Sequence, residues 1–402
     1  MLLEILITII AGIILGILCG LLPGLHPNTV NVILLSFSPF LLQFMSPLTL
    51  AVLIVVVSTS NSIIDSVPSI YLGAPDTDGN VMSVLPGHQM LLAGKGHEAV
   101  VLTVIGSIFG LIAAVLAIPP LALILKQIYP IIQDYIAFLL IAVVIFLIFR
   151  EKNKVWAFFI FALSGILGIA TLGSQLKEPL FPLFTGLFGI SMLLLGLKNK
   201  VKIPEQKFTD INIKKKQIFK AVLTSLFSGS IVSMLPGLGN AQAAILGSSV
   251  IRDKDPKCFL IMVGGINTVN FIISFISILI LDKARNGSIV AVSKLLETFT
   301  VEHLILFIVI SLITGGLSVI VTIKLSRIFS KLIPKINYQK LSLAIIIGIT
   351  LAVIFLSGAL GFLVLITSTF LGMIPTFKNI GKNHLMGSLL LPVILYFLLW
   401  AI

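Results

Sequence analysis

Apolar stretches long enough to cross ~30 Å of hydrocarbon recur along the whole chain, and short loops between them hold most of the charge. They predict helices near residues 5–22, 99–126, 131–149, 155–172, 179–197, 301–323, 340–356, 359–374 and 384–401. One phrase occurs twice inside this apolar pattern. Gly16-Ile-Leu-Cys-Gly-Leu-Leu-Pro-Gly-Leu-His26 is answered by Gly229-Ser-Ile-Val-Ser-Met-Leu-Pro-Gly-Leu-Gly239, at a constant offset of 213. Pro lacks the N–H and Gly admits left-handed dihedrals, so a Pro-Gly pair breaks a helix. In lipid such a break is tolerated only where protein or a water-filled cavity encloses it. Matching breaks in two halves point to a transporter's binding site.

The pattern therefore predicts an all-α polytopic membrane protein with about 10–14 membrane segments and broken or re-entrant helices. Residues 1–200 are expected to form a first membrane repeat, 201–217 a cytoplasmic basic linker and 218–402 a second, inverted repeat. With 58% hydrophobic and 10% charged residues, an ordinary soluble protein is excluded. The first apolar run lacks a Lys/Arg-rich leader and a small-residue cleavage site, and is read as a retained span.

Charge orients the spans. The net charge of +12 sits in short loops between apolar runs, the positive-inside signal of a membrane protein and not a nucleic-acid surface. Between Lys198 and Lys220 eight lysines face only Glu205 and Asp210, which places this interval in the cytoplasm. Arg150–Lys154 and Lys324–Lys335 belong on the same side. Counting crossings from these loops puts Gly94–Glu98 inside but its counterpart, Asp282–Arg285, outside. The halves then face opposite ways, both termini lie outside, and alternating access becomes possible.

Four polar interruptions are candidates for chemistry. They are Pro23 to Thr29, Ser58 to Ser62, Pro236 to Gln242 and Gly264 to Asn270. A helix restarting after a break offers free N–H groups and a partial positive charge, which suits carboxylate or phosphate. The expected solute-binding residues are Pro23, Gly24, Asn28, Thr29, Ser58, Thr59, Ser60 and Asn61 in the first half. Pro236, Gly237, Gly239, Asn240, Gln242, Asn267, Thr268 and Asn270 are their second-half counterparts. No Arg precedes Arg150, so amides and backbone must supply most first-half contacts to an anion.

Asp65 is the one acid between Leu48 and Leu72 and the candidate for coupling to H⁺ or Na⁺. Asp76 and Asp78 read as a polar turn; His88, His97, His303 and His384 read as interfacial. Trp156, Trp400, Tyr129, Tyr135 and Tyr396 read mostly as an aromatic belt. Small polar residues also serve close helix packing, so each position has a purely structural reading beside the functional one. Cys19 and Cys258 imply neither a disulfide nor a metal site, and no cofactor beyond a coupling ion is expected. No HExxH, GxSxG, Walker or GxGxxG signature occurs, so the chain is not expected to be an enzyme.

At these residues the chain resembles the large membrane subunit of the tripartite tricarboxylate transporters, the TctA family. The paired Leu-Pro-Gly-Leu segments resemble that family's Pro-Gly motifs. Ser69 to Gly79, then Pro86-Gly-His-Gln-Met90 and Gly94-Lys-Gly-His97, resemble its glycine-proline loop. His384 to Pro392 is similar to a C-terminal helix of its shorter archaeal-type members. The resemblance covers nearly the whole chain. It implies an ion-coupled permease for an organic anion, a di- or tricarboxylate, in a prokaryotic cytoplasmic membrane. It also implies assistance from a small membrane subunit and an extracytoplasmic binding protein; a homodimer is a further possible assembly. The residues alone leave open a carrier of a lipid-linked phosphate or another anion, or an intramembrane enzyme or scaffold.

Overall fold

The computed structural model describes residues 2–22, 27–73, 86–176, 179–198, 203–209, 211–251, 255–284, 286–296 and 298–400. Every regular element among them is helical. Ten helical stretches among the described residues are long and apolar enough to cross a membrane. Large apolar side chains such as Leu116, Phe149, Phe355 and Phe370 stay exposed on their outer faces. The chain is an integral multi-pass membrane protein, because only lipid makes such a surface stable.

The first half runs α1 (Leu2–Leu21), α2 (Pro27–Ser36), α3 (Pro47–Ile64), α4 (Ser66–Tyr71), α5 (Gly96–Ile132), α6 (Ile136–Arg150) and α7 (Lys154–Leu172). It ends with α8 (Leu180–Phe184), a π-helical turn Thr185–Ile190 and α9 (Ser191–Lys198). The second half runs α10 (Lys215–Met234), α11 (Asn240–Ile251), α12 (Pro256–Leu281), α13 (Gly287–Leu295), α14 (Val301–Leu332), α15 (Tyr338–Lys378) and α16 (Gly387–Trp400). Within α15, Gly358 has φ 64°, so this element is two helices joined at a sharp turn.

Helices α1 and α10 end at Leu21 and Met234, a spacing of 213 that matches the repeated phrase. Further along, the long helices α5 and α14 each end in a 3₁₀ turn, Gln133–Tyr135 and Ile333–Lys335.

Contacts fix the directions of the central helices. Gly12, Gly16 and Gly20 of α1 lie against Val56, Ser60 and Ile64 of α3, so these two run parallel. In the same way Ser225 and Gly229 of α10 meet Gly265 and Val269 of α12. The chain between each parallel pair must therefore return across the same depth, which α2 and α11 begin to do. Across the halves, α5 runs parallel to α12, from Glu98–Lys257 at one end to Tyr129–Lys283 at the other. Likewise α3 and α4 run parallel to α14, with Thr59 at Ser311 and Tyr71 at Ser326 and Ser330. Tyr71 closes α4 beside Gly96, where α5 begins, and Phe275 near the end of α12 touches Phe299 and Phe307 near the start of α14. It follows that α3 and α12 point in opposite directions.

Small residues let the cross-half helices meet. At the α5–α12 crossing, a Cβ on Gly106 would strike the Ile261 carbonyl, and one on Gly264 would strike the Thr103 carbonyl. Ser107 donates to Gly264 O at 3.2 Å, and Thr268 donates to Ser107 O at 2.9 Å. This is close backbone packing of the small-residue kind that holds membrane helices together.

Three expectations are corrected here. Residues 58–62 and 264–270 do not interrupt their helices, which run unbroken through α3 and α12. The hydroxyls of Thr59, Ser60 and Ser62 bond back to Val55 O, Val56 O and Thr59 O, so these three are satisfied inside the helix. His97 and His384 are buried, not interfacial, held by Ser326 and Glu151. Tyr129 is buried as well and accepts from Lys283 Nζ at 3.4 Å, whereas Tyr135 and Tyr396 are exposed as a belt requires. Burial lowers the His88 imidazole below its ordinary range. Asp76 and Asp78 lie outside the described residues.

Candidate functional site

The second break is fully described. Helix α10 ends at Met234, Leu235 turns extended (φ −103°, ψ 120°), and α11 starts at Asn240. Between them Gly237 has φ +80°, and a Cβ there would sit 3.1 Å from Val393 Cβ of α16. Only glycine meets both demands without strain. Pro236 removes a main-chain donor and Gly237 turns the chain left-handed, and together they end the helix.

The restarted helix is anchored by carboxamides. Gln242 Oε1 accepts from Gly239 N at 2.9 Å. Asn240 Nδ2 donates to Asn267 Oδ1 at 2.9 Å, and Asn240 Oδ1 accepts from Asn270 Nδ2 at 2.8 Å. The break and the middle of α12 are thus one cluster of amides. Asn240 and Asn270 are partly accessible within it, and Gln242 is fully buried. Gln242 Nε2 has no hydrogen-bond partner.

In the first half, residues 23–26 lie outside the described residues, and with them Pro23 and Gly24. The backbone of α2 is described from Pro27, but the side chains of Asn28 and Thr29 are not. Just inside α2, Asn31 Nδ2 donates to Ser58 Oγ at 3.0 Å and Ser288 Oγ at 2.7 Å, while its Oδ1 is buried without a partner. Ser58 donates to Ser288 at 2.8 Å. This triad joins α2 and α3 of the first half to α13 of the second. Asn61, three residues on, is 1% exposed, and its Nδ2 has no hydrogen-bond partner.

Three buried amide atoms are therefore unsatisfied, Asn31 Oδ1 beside the first break, Asn61 Nδ2 on α3 and Gln242 Nε2 at the second break. Leaving such a group unpaired costs about 1–3 kcal/mol, so each marks a place where a ligand or water gains by binding. A contact chain sets the α3 and α12 parts of the arrangement at a similar level. Gly110 meets Gly265 and Thr268 of α12, and the adjoining Leu111 meets Gly315, whose neighbour is Ile63.

Not every expected residue faces this cluster. The Ser60 hydroxyl turns back on its own helix and packs against Gly16. Thr59 reaches Ser311 at 3.4 Å in the α3–α14 contact. Thr268 is spent on the α5–α12 crossing. Asp65 is buried where α3 ends and α4 begins, and its main-chain carbonyl accepts from Ser69 Oγ at 2.7 Å. Asn31 and Ser288 were missed by sequence reasoning. Asn31 lies two residues past the first polar interruption and Ser288 just past the Asp282–Arg285 loop, and nothing local links positions 257 residues apart. Among the described residues no group of three His, Cys, Asp or Glu side chains is placed to hold a metal.

The profile of the tripartite tricarboxylate transporter TctA family matches residues 6–387. The chain belongs to that family. An uncharacterized protein of Methanocaldococcus jannaschii is 32% identical over 384 residues, covering 93% of this chain and 94% of its own. No solved structure matches. The match spans the Pro236–Gln242 break, the amides of α12 and every cross-half contact described above.

Proposed function

We propose that this TctA-family protein is a secondary transporter that carries an organic anion of the di- or tricarboxylate class. The observation that supports this most is the pair of helix breaks at a fixed offset, each adjoining buried carboxamides with unsatisfied atoms. Carboxylate oxygens accept hydrogen bonds, and Asn61 Nδ2 and Gln242 Nε2 are donors without acceptors. The restarted helices α2 and α11 add positively polarised N-termini in the same regions. Such a site binds a carboxylate without burying a cation to match it.

The two halves are read as an inverted-topology repeat, since equivalent helices α3 and α12 run oppositely while each pairs with the other half's long helix. Rocking one half against the other would then open the site alternately to each side. The ends bearing Lys95, Arg150, Lys257 and Lys331 are assigned to the cytoplasm by the positive-inside rule, which leaves both termini outside. Asp65, buried next to the α1–α3 packing, is the candidate for coupling to H⁺ or Na⁺. A small membrane subunit and an extracytoplasmic binding protein belong to this reading as partners through the family.

Counterflow in proteoliposomes tests it. Labelled citrate or succinate should accumulate transiently against internal unlabelled solute, unchanged chemically, and a Na⁺ or proton gradient should drive net uptake. Solute recovered in altered form, or no exchange with a panel of carboxylates that includes the binding protein's ligand, would overturn the proposal. Exchange of phosphate instead of carboxylate would reassign the cargo while keeping the carrier.

A further inference from the structure

The basic face holds a feature that transport at the helix breaks does not use. A cavity of about 370 Å³ opens there between the start of α5, the end of α14 and the linker joining the halves. His97, Phe208, Thr209, Arg327 and Lys331 line it. The linker is fastened over this spot. Gln206 Oε1 accepts from Gly96 N at 2.8 Å, Lys207 N donates to Gly94 O at 2.7 Å, and Thr209 donates to Glu98 Oε2 at 2.9 Å.

The charge balance around the cavity is uneven. Glu98 is answered by Lys257 Nζ at 2.6 Å, so that pair is neutral. Among the described residues, neither Arg327 nor Lys331 has a carboxylate within ion-pair distance. They stand four residues apart on α14, one turn from each other, where like charges repel. His97 is set beside them, its Nδ1 2.9 Å from Ser326 Oγ and its ring edge-on to Phe208 at 5.2 Å. A guanidinium and an ammonium aimed into one concave space match the oxygens of a phosphate or carboxylate group. The volume falls within the range of small-molecule pockets. Ile328 and Leu332, exposed beside Arg327 and Lys331 on α14, put the cavity at the edge of the apolar belt.

We infer that this cavity is a second anion site, separate from the helix breaks, in which Arg327 and Lys331 bind a phosphate or carboxylate group. Because its walls come from α5, α14 and the linker, an anion seated there ties both halves to the segment between them. The same chemistry is offered by a free anion in the cytoplasm and by the headgroup of an anionic lipid. The inference does not depend on the transport reading.

The test uses the purified full chain. Inorganic phosphate is titrated while thermal unfolding is followed, and retention of phosphatidylglycerol is measured by native mass spectrometry after exposure to phosphatidylglycerol/phosphatidylcholine vesicles. Arg327→Gln combined with Lys331→Gln should weaken whichever probe binds by about tenfold or more, the scale of one lost charge-assisted contact. Lys154→Gln combined with Lys335→Gln removes the same charge from the same face and should change little. Phosphate stabilisation marks a soluble ligand, and phosphatidylglycerol retention marks a lipid. Phe208→Ala, on the linker, removes a wall of the cavity while leaving α14 untouched, and decides the matter if the double variant fails to fold. Binding of neither probe to the natural chain, or equal binding by both double variants, would overturn the inference.

Discussion

A buried amide with no partner behaves differently under mutation from one that holds structure. Asn61→Ala removes a donor that bonds to nothing, so the native fold loses little by it. Its thermal midpoint should stay within a few degrees of the natural chain, while citrate or succinate affinity falls about tenfold or more. Asn240→Ala is the contrast. It breaks two hydrogen bonds, to Asn267 and from Asn270, which should cost about 1–3 kcal/mol of stability as well as transport. Unfolding curves run beside counterflow assays separate the two, and equal loss of stability in both variants would refute the distinction. Asn240 and Gln242 were legible because they follow a Pro-Gly pair within a few residues. Asn31 and Ser288 were not, since their bond exists only once distant helices have packed.

At the scale of elements, sequence chemistry separates true breaks from polar stretches of helix. Pro236-Gly237 breaks the chain because Pro lacks a donor and Gly237 takes φ +80°. Gly237→Ala should cost about 1–2 kcal/mol through left-handed strain, with added crowding against Val393. Its measured cost should exceed that of Gly316→Ala, where a Cβ meets nothing within 4 Å. If the two substitutions proved equivalent, the break would not be the strained element described. Residues 58–62 and 264–270 looked like breaks by composition. Hydroxyls that return to their own helix, and glycines that admit α5, keep the backbone ladder intact. Composition cannot reveal which way a hydroxyl turns. At that crossing Gly264→Leu would push α12 off Thr103 O of α5, an overpacking cost at the upper end of about 1–3 kcal/mol. Loss of folded yield in detergent would report it.

For the whole molecule, the all-helical, many-span architecture was legible in apolar length. Which helix of one half embraces which helix of the other was not, because helix partners in lipid are chosen by small-residue surfaces without a sequential signature. The exchange of partners, α5 with α12 and α3 with α14, is what an inverted repeat requires and gives the topology a direct test. The starts of α5 and α12 adjoin through Glu98 and Lys257, and the far ends adjoin through Tyr129 and Lys283. Lys95 and Lys283 therefore belong to opposite faces of the membrane, although both are basic loop residues. With Cys19 and Cys258 buried and replaced by serine, single cysteines at these positions become reporters. In sealed right-side-out vesicles a membrane-impermeant maleimide should label Lys283→Cys at once, and Lys95→Cys only after the membrane is opened. The positive-inside rule alone would place both lysines inside, so labelling distinguishes helix geometry from loop charge. Equal protection of the two positions would mean that the second half is not inverted, and the alternating-access reading would fall with it.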